Sequence, residues 1–242
     1  MTVAKNETLR CGRLLYEGRS KRVYETADSG KVFLEFKSEF PPRSSGRQGE
    51  KPVKSVMLCD IAEHVFQYLQ SFRIPTHFQR RYDQDRLLVG KLDMIPLAIV
   101  VRNIAAGSLC TRFDVPEGWE LEVPVIELIY RNNQLKYPLV NETHLLAFGV
   151  STPEEIRTTM RIATKTNAVL RSFMERRKLR LVDIWLEFGR RNGEILLGDA
   201  IVPDTMRLLD MGTNELYDGS VYRLGIGDYI DPYVSLHRRI LS

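Results

Sequence analysis

Apolar and polar positions alternate with period two through residues 179–210, LRLVDIWLEFGRRNGEILLGDAIVPDTMRLLD. Ile184, Leu186 and Phe188 interleave with Asp183, Trp185 and Glu187, the pattern of a strand with two different faces. The stretch reads as two strands joined by a turn. Residues 14–26 read as strand, tight turn and strand, and Val32-Phe33-Leu34-Glu35-Phe36 supplies a third strand. Leu87-Leu88-Val89 and residues 97–101 are buried-strand material, split by Lys91-Leu92-Asp93-Met94-Ile95-Pro96. Helical spacing takes over at Leu58, Ile61, Val65, Leu69 and Phe72, predicting an amphipathic helix over residues 55–72 that ends before Pro75. Thr152-Pro153-Glu154-Glu155 is a capping box with Pro at the first helical position. It opens a helix whose face is Ile156, Met160, Ala163, Asn167, Leu170 and Met174, reaching Arg177. Asp231-Pro232 starts a short last helix, and residues 37–55 have the composition of a loop. Strands come first and helices are interspersed without βαβ regularity or repeats, so the class is α+β. The expected division is a β-rich N-terminal lobe, residues 1–91, and a larger α+β lobe, residues 92–242.

Composition narrows the partners. At 242 residues, 43% hydrophobic and 27% charged, the chain can bury a sizeable core. No apolar run approaches the ~20 residues of a membrane span, and MTVAKNETLRCGR lacks the apolar core of a signal peptide. These features predict a cytoplasmic protein with no membrane partner. Cys11, Cys59 and Cys110 are widely spaced with no CxxC pair, which argues against a disulfide framework and a zinc site. The net charge of +4 suits anionic small molecules, and no basic tail or aromatic-basic alternation marks a nucleic-acid module.

Three stretches carry candidate chemistry. If Arg191-Asn192-Gly193 forms a three-residue loop, Arg190 faces Glu194 and Trp185 faces Asp199. Glu187 and Asp199 are then diagonal neighbours on one face, within ~7–8 Å, and two such carboxylates can share one divalent cation. A two-residue Asn-Gly turn puts them on opposite faces instead, so the metal reading depends on register. The plain alternative is a surface hairpin with solvated acids. The glycine turn bearing Arg19 and Lys21 can lay cations and N–H groups over a polyphosphate, or be an ordinary basic hairpin. Arg102 at a strand end, followed by Ile104-Ala105-Ala106-Gly107-Ser108, is suited to a phosphate monoester.

The same stretches resemble the phosphoribosylaminoimidazole-succinocarboxamide synthase (SAICAR synthetase) family along nearly the whole chain. LVDIWLEFG and GDAIVPDTMRLLD are similar to the family's LVDFKLEFG and DEISPDTxRLWD. LLYEGRSKRVYET resembles LYEGKAKxxY, RIPTH resembles GIPTHF, and KLDMIPLAIVVRNIAAGS resembles KxxxMIPLEVVVRN with RNxAAGS. PVIELIYRNNQLKYPLVN is similar to PxxExxYKxDxxxDPxIN. The resemblance implies an ATP-grasp-like fold with ATP in the cleft between two lobes. It implies a ligase that activates an azole ribotide carboxylate, carboxyaminoimidazole ribotide or an analogue, as an acyl phosphate and joins it to aspartate. Carried over residue by residue, Lys21 with Arg19 and Ser20 contacts ATP phosphates, and Lys91, Met94 and Arg131 complete the nucleotide site. Glu187 and Asp199 hold Mg²⁺ and, with Lys21, are catalytic. Arg102, Ser108 and Arg207 hold the ribotide phosphate, and Asp183, Trp185 and Asp204 line the substrate pocket. A homodimer is one assembly the resemblance allows.

Departures concentrate away from Lys21, Met94, Arg102, Ser108, Glu187, Asp199 and Arg207. Trp185 stands at a usual Lys, Ala200 and Ala98 at a usual Glu, Arg131 at a Lys, Asn133 at an Asp, and Tyr137 at the Asp before Pro. Glu39 falls at an Asp, the loop 41–45 over a Ser-Ala-x-Asn/Asp-Gly turn, and Lys54-Ser55-Val56-Met57-Leu58-Cys59 over Lys-Gly-x-x-Asn-Asn. These leave two alternatives to the ordinary ligase: a paralogue with a related azole nucleotide or another amine, and a nucleotide-binding pseudoenzyme. Retention of both metal carboxylates speaks against the second.

Overall fold

The first five strands form one antiparallel sheet, ordered β1 (Leu14–Glu17), β2 (Lys21–Glu25), β3 (Lys31–Phe36), β5 (Arg86–Gly90), β4 (Phe78–Arg81). A computed structural model gives this architecture for residues 11–18, 20–38, 53–217 and 231–242. Arg19, Glu39 and the loop 41–45 lie outside the described residues.

Between β3 and β4 runs α1 (Val53–Ser71), close to the helix that the 3-4-4-3 spacing predicts. Its two apolar flanks serve different cores. Met57, Leu58, Cys59, Ala62 and Phe66 pack with Val32, Leu34, Phe36 and Val89 of the first sheet. Ile61, Val65 and Leu69 join the main core under the second sheet. One helix therefore welds the two sheets together through side chains a few positions apart.

The second sheet takes the rest of the strands, all antiparallel: β6 (Asp93–Ile104), β7 (Glu120–Tyr130), β8 (Leu139–Val140), β9 (Leu179–Arg191), β10 (Glu194–Gly198), β11 (Met206–Asp210) and β12 (Leu216–Tyr217). Short helices α2 (Ser108–Phe113) and α3 (Glu142–Ala147) sit in its connections, and the long α4 (Pro153–Glu175) packs beneath it. The predicted capping box is formed: Thr152 N–H donates to Glu155 Oε2 at 2.9 Å, and Glu155 N–H to Thr152 Oγ1 at 3.2 Å. Ile156, Ala163, Asn167, Leu170 and Met174 are buried as the spacing predicts. Asn167 exchanges two side-chain hydrogen bonds with Asn103 of β6, at 2.9 and 2.8 Å, so the polar member of the α4 face is partnered rather than stranded. The last helix, α5 (Asp231–Leu241), packs back on α1.

The long strand β9 organises the second sheet. On one side it pairs with β6 along most of its length. On the other, its first half pairs with β11 and its second half with β10. The ladder is interrupted beside Trp185 and Leu186, where residues 199–205 leave the sheet carrying Asp199 and Asp204. Two sequence expectations are corrected here. The β9–β10 turn has two residues, not three: Arg191 pairs with Glu194, and Asn192 and Gly193 both have positive φ (52° and 80°), as the primed hairpin turns that match strand twist require. Gly198, rather than Leu197, therefore lies opposite Glu187, and Trp185 does not face Asp199. The break predicted at residues 91–96 shrinks to Lys91-Leu92, with Pro96 absorbed in a bulge of β6 between Met94 and Ala98.

Candidate functional site

Two clusters of charge lie along β9, one around Asp183 and one around Glu187, four steps apart along the strand, ~13 Å.

The first is laid out by register. Arg102 of β6, Asp183 of β9 and Arg207 of β11 are direct cross-strand neighbours on three adjacent strands. Arg102 is buried, and each arm of its guanidinium addresses a different partner. Nε donates to Glu127 Oε2 at 2.6 Å, Nη1 to Asp183 Oδ2 at 3.0 Å and Nη2 to Ser108 Oγ at 3.2 Å. Arg207 Nε donates to both Asp183 oxygens, at 2.9 and 3.1 Å. Arg112, one helical turn after Ser108, donates Nε–H to the Ser108 carbonyl at 3.0 Å and reaches Glu127 with its other arm. Burial pushes the Glu127 carboxyl up, but hydrogen bonds from Arg112 and Arg102 outweigh it and hold the group below its ordinary range. Three guanidiniums against two carboxylates leave one net positive charge beside the Ser108 hydroxyl. Asp183 spends its oxygens on guanidiniums, so its place is to aim Arg102 and Arg207 rather than to face an anion.

The second cluster gathers residues from both sheets. Lys21, the first residue of β2, is buried and ion-pairs with Asp199. Burial pushes its ammonium down to about 8, Glu187 draws it up, Arg131 lowers it and Asp204 raises it. Four charged side chains thus surround one lysine. Glu187 is buried, accepting from Trp185 Nε1–H at 2.9 Å on one oxygen and pairing with Arg131 Nη1 at 2.9 Å on the other. Arg131 is carried there by its backbone N–H, bonded to the Pro96 carbonyl in the β6 bulge at 2.9 Å. Trp185 packs on Ala98, Val100 and Ile129 and stands edge-on to Tyr137, ring centroids 6.3 Å apart.

Strand parity would send the Asp199 side chain to the face opposite Glu187. Instead Asp199 leaves the strand with φ +58°, a left-handed conformation that Asp tolerates better than most residues, and its carboxylate meets Lys21. Met94 lies against the far end of β10: a Cβ added to Gly198 would come within 3.3 Å of the Met94 sulfur and 3.0 Å of Leu92, a tight approach between the two strands. Asp204, in the 3₁₀ turn Pro203–Thr205, accepts from Tyr233 Oη–H of α5 at 2.8 Å and lies 3.8 Å from the fully buried Lys54 of α1.

Of the residues singled out from sequence, Lys21, Asp199, Glu187, Arg131 and Trp185 meet in the second cluster, with Met94 and Asp204 at its border. Arg102, Ser108, Asp183 and Arg207 meet in the first. Lys91 is exposed and Ser20 contributes its carbonyl to Lys37 N–H at 2.8 Å; neither side chain is tied into a cluster by the contacts above. Sequence reasoning missed Arg112, Glu127, Lys54 and His77. Each left a signal: Glu127 and His77 sit in stretches that match the family's motifs, Lys54 stands at a family Lys, and Arg112 follows Ser108 by four positions on one helical face. Among the described residues no group of three or more His, Cys, Asp or Glu side chains forms a self-sufficient metal site. The Glu187–Asp199 pair offers hard oxygen donors, each neutralised here by a protein cation, which fits a Mg²⁺ completed by phosphate and water oxygens.

The family model of SAICAR synthetase matches residues 14–240. The phosphoribosylaminoimidazole-succinocarboxamide synthase of Chlorobaculum parvum is 41% identical over 229 residues, 95% of this chain and 97% of the relative. That of Clostridium acetobutylicum is 39% identical over 94% and 97%. Among solved structures, a SAICAR synthetase in complex with ADP superposes with a TM-score of 0.87 at 38% identity, covering 93% of this chain and 96% of its own. The SAICAR synthetase of Pyrococcus horikoshii superposes with a TM-score of 0.86 at 36% identity, covering 92% and 97%.

Proposed function

Since the chain belongs to the SAICAR synthetase family, we propose that its two clusters divide one ligase reaction between them. The activity is ATP-dependent amide formation between the carboxylate of carboxyaminoimidazole ribotide and the amine of aspartate. A carboxylate does not condense with an amine in water unaided. The γ-phosphoryl of ATP passes to a carboxylate oxygen, releasing ADP. The amine nitrogen then attacks the acyl carbon, phosphate leaves, and the amine proton passes to solvent.

In this reading the second cluster holds ATP and the first holds the ribotide. Lys21, with Arg19 and Ser20, lies against the phosphates; Met94 meets the adenine, and Lys91 and Arg131 border the nucleotide. Glu187 and Asp199 would hold Mg²⁺, which when bound neutralises charge on the transferring phosphoryl group. Arg131 and Lys21, now paired with those carboxylates, are then free to turn to phosphate oxygens. Arg102, Ser108 and Arg207 receive the ribotide phosphate, positioned by Asp183, while Trp185 and Asp204 face the reacting acid and amine. Residues 1–91 cover the nucleotide and residues 92–242 carry the rest; the sheets support that division, since β1–β5 lie wholly in the first part and β6–β12 in the second. The observation that carries the reading is the Lys21–Asp199 ion pair, which joins the two sheets at a buried lysine that packing alone does not require.

Apolar side chains exposed at Leu135, Leu139, Leu146 and Phe148, beside the edge strand β8, support a homodimer. No helix among the described residues is long and apolar enough to cross a membrane, and the three cysteines are free, which supports a cytoplasmic location. The test of the site is Glu187→Gln and Asp199→Asn at saturating Mg²⁺. Each should lose at least ~10²-fold in kcat; near-wild-type turnover in either removes that residue from the proposal.

A further inference from the structure

The motif RIPTH (residues 73–77) has no part in the chemistry above, yet its last residue touches the backbone of Asp199. We propose that His77 is a positioning residue whose Nε2–H, donated to the Asp199 carbonyl, holds Asp199 in the left-handed turn that aims its carboxylate at the nucleotide site. The proposal rests on Asp199 serving that site.

The geometry comes from residues 75–77, which run alongside β10. Leu197 N–H donates to the Pro75 carbonyl at 2.9 Å, His77 N–H donates to the Leu197 carbonyl at 3.0 Å, and Thr76 forms a parallel bridge with Leu197. That short ladder pins β10 up to Leu197 and stops. The His77 side chain continues it, with Nε2 3.0 Å from the Asp199 carbonyl. A carbonyl oxygen only accepts, so this contact requires the Nε2–H tautomer. The ring is buried, packed edge-on to Phe66 at 5.5 Å, and its own carbonyl is taken by Gly90 N–H at 2.7 Å. Its position is therefore set by the first sheet and α1, independently of any ligand. The consequence is specific: the next residue of a regular β10 would turn its side chain away from Glu187, whereas a carbonyl tethered by His77 keeps Asp199 at φ +58° and its carboxylate on Lys21. A supporting partner of this kind typically matters about 10- to 100-fold to the site it orients.

Four proteins test it: wild type, His77→Phe, which keeps ring volume without a donor, His77→Gln, which restores one, and Asp199→Asn. Calorimetry measures ADP affinity with and without Mg²⁺, and steady-state kinetics give kcat and each KM. His77→Phe should weaken Mg²⁺-dependent ADP binding and lower kcat roughly tenfold each, with the ribotide KM within about twofold. His77→Gln should recover most of both. In wild type, ¹⁵N-imidazole spectra should show His77 as the Nε2–H tautomer with its ring proton slow to exchange. The positioning role is overturned if His77→Phe binds and turns over like wild type while Asp199→Asn does not, or if wild-type His77 is the Nδ1–H tautomer; the spectra decide even if His77→Phe does not fold. Unchanged Mg²⁺-dependent binding in Asp199→Asn is a different result and would remove Asp199 from the nucleotide site.

Discussion

Arg102→Ala separates the two clusters most cleanly. The side chain is buried and its three arms serve Glu127, Asp183 and Ser108. Removing one partner of a buried ion pair costs about 3–5 kcal/mol when the other is left alone. Here neither carboxylate is left alone, because Glu127 keeps Arg112 and Asp183 keeps Arg207. The lower end, about 3 kcal/mol, is therefore expected, a fall of about 6–12 °C in Tm for a chain of this size. The effect on substrate is larger in kind. The cluster drops from one net positive charge to none, and it loses the donor fixed most firmly. Truncating a desolvated charge costs about 2–5 kcal/mol in binding. Partial exposure of Arg112 and Arg207 favours about 3 kcal/mol, a rise of ~10²-fold in the ribotide KM. The cluster proposed for ATP lies ~13 Å along β9, so the ATP KM should stay within about twofold. Arg102→Lys keeps the charge but cannot address three partners in one plane, and should fall between. The assay is initial rate against ribotide and against ATP, repeated with the dephosphorylated nucleoside. A nucleoside used equally well by wild type and variant is expected. Equal effects on the two KM values, or a wild type indifferent to the phosphate, would refute the assignment.

Trp185→Phe keeps the packing on Ala98, Val100 and Ile129 but removes the N–H bonded to Glu187. A hydrogen bond to a charged group contributes about 1.5–3 kcal/mol, so Tm should fall by at least about 3 °C and kcat roughly tenfold; an unchanged kcat would make Trp185 a packing residue only. Glu155 is held down to about 2, first by its hydrogen bond from Arg190 against the opposing effect of burial, then by Thr152 and Ser151. A carboxylate depressed in the folded state stabilises above its unfolded value, and that contribution fades as pH falls from about 4.5 through 2. Glu155→Gln should therefore lower stability by about 1–2 kcal/mol at pH 7 once solvent screening is allowed for, with the difference from wild type closing below about pH 4.5. Thermal melts that show a constant difference from about pH 7 to pH 3 would contradict this.

The meeting of Arg102, Asp183 and Arg207 was legible because they sit in motifs the family shares and strand register alone aligns them. The carboxylate pair was legible for the wrong reason. Arg191-Asn192-Gly193 admits two hairpin lengths, and the structure takes the Asn-Gly turn, which by parity separates Glu187 from Asp199. Asp199 rejoins the cluster through one positive φ, a choice that no periodicity records. Lys54 and His77 stand in quoted stretches, but their contacts were not legible for a related reason: they reach across long stretches of chain, from α1 and from the segment beside β10. The helices were read well where spacing and caps agree, as in α4. The double allegiance of α1 was not, because a helix that is apolar on two flanks looks in sequence like one wide stripe.

The most direct measurement follows ATP, carboxyaminoimidazole ribotide and aspartate through one assay that quantifies ADP, phosphate and amide together. The account predicts one ADP and one phosphate per amide formed, at a turnover on the order of 10 s⁻¹, with no amide when either acid or aspartate is withheld. ATP consumed without aspartate entering the product, or turnover appearing only with a different amine or azole acid, would contradict it.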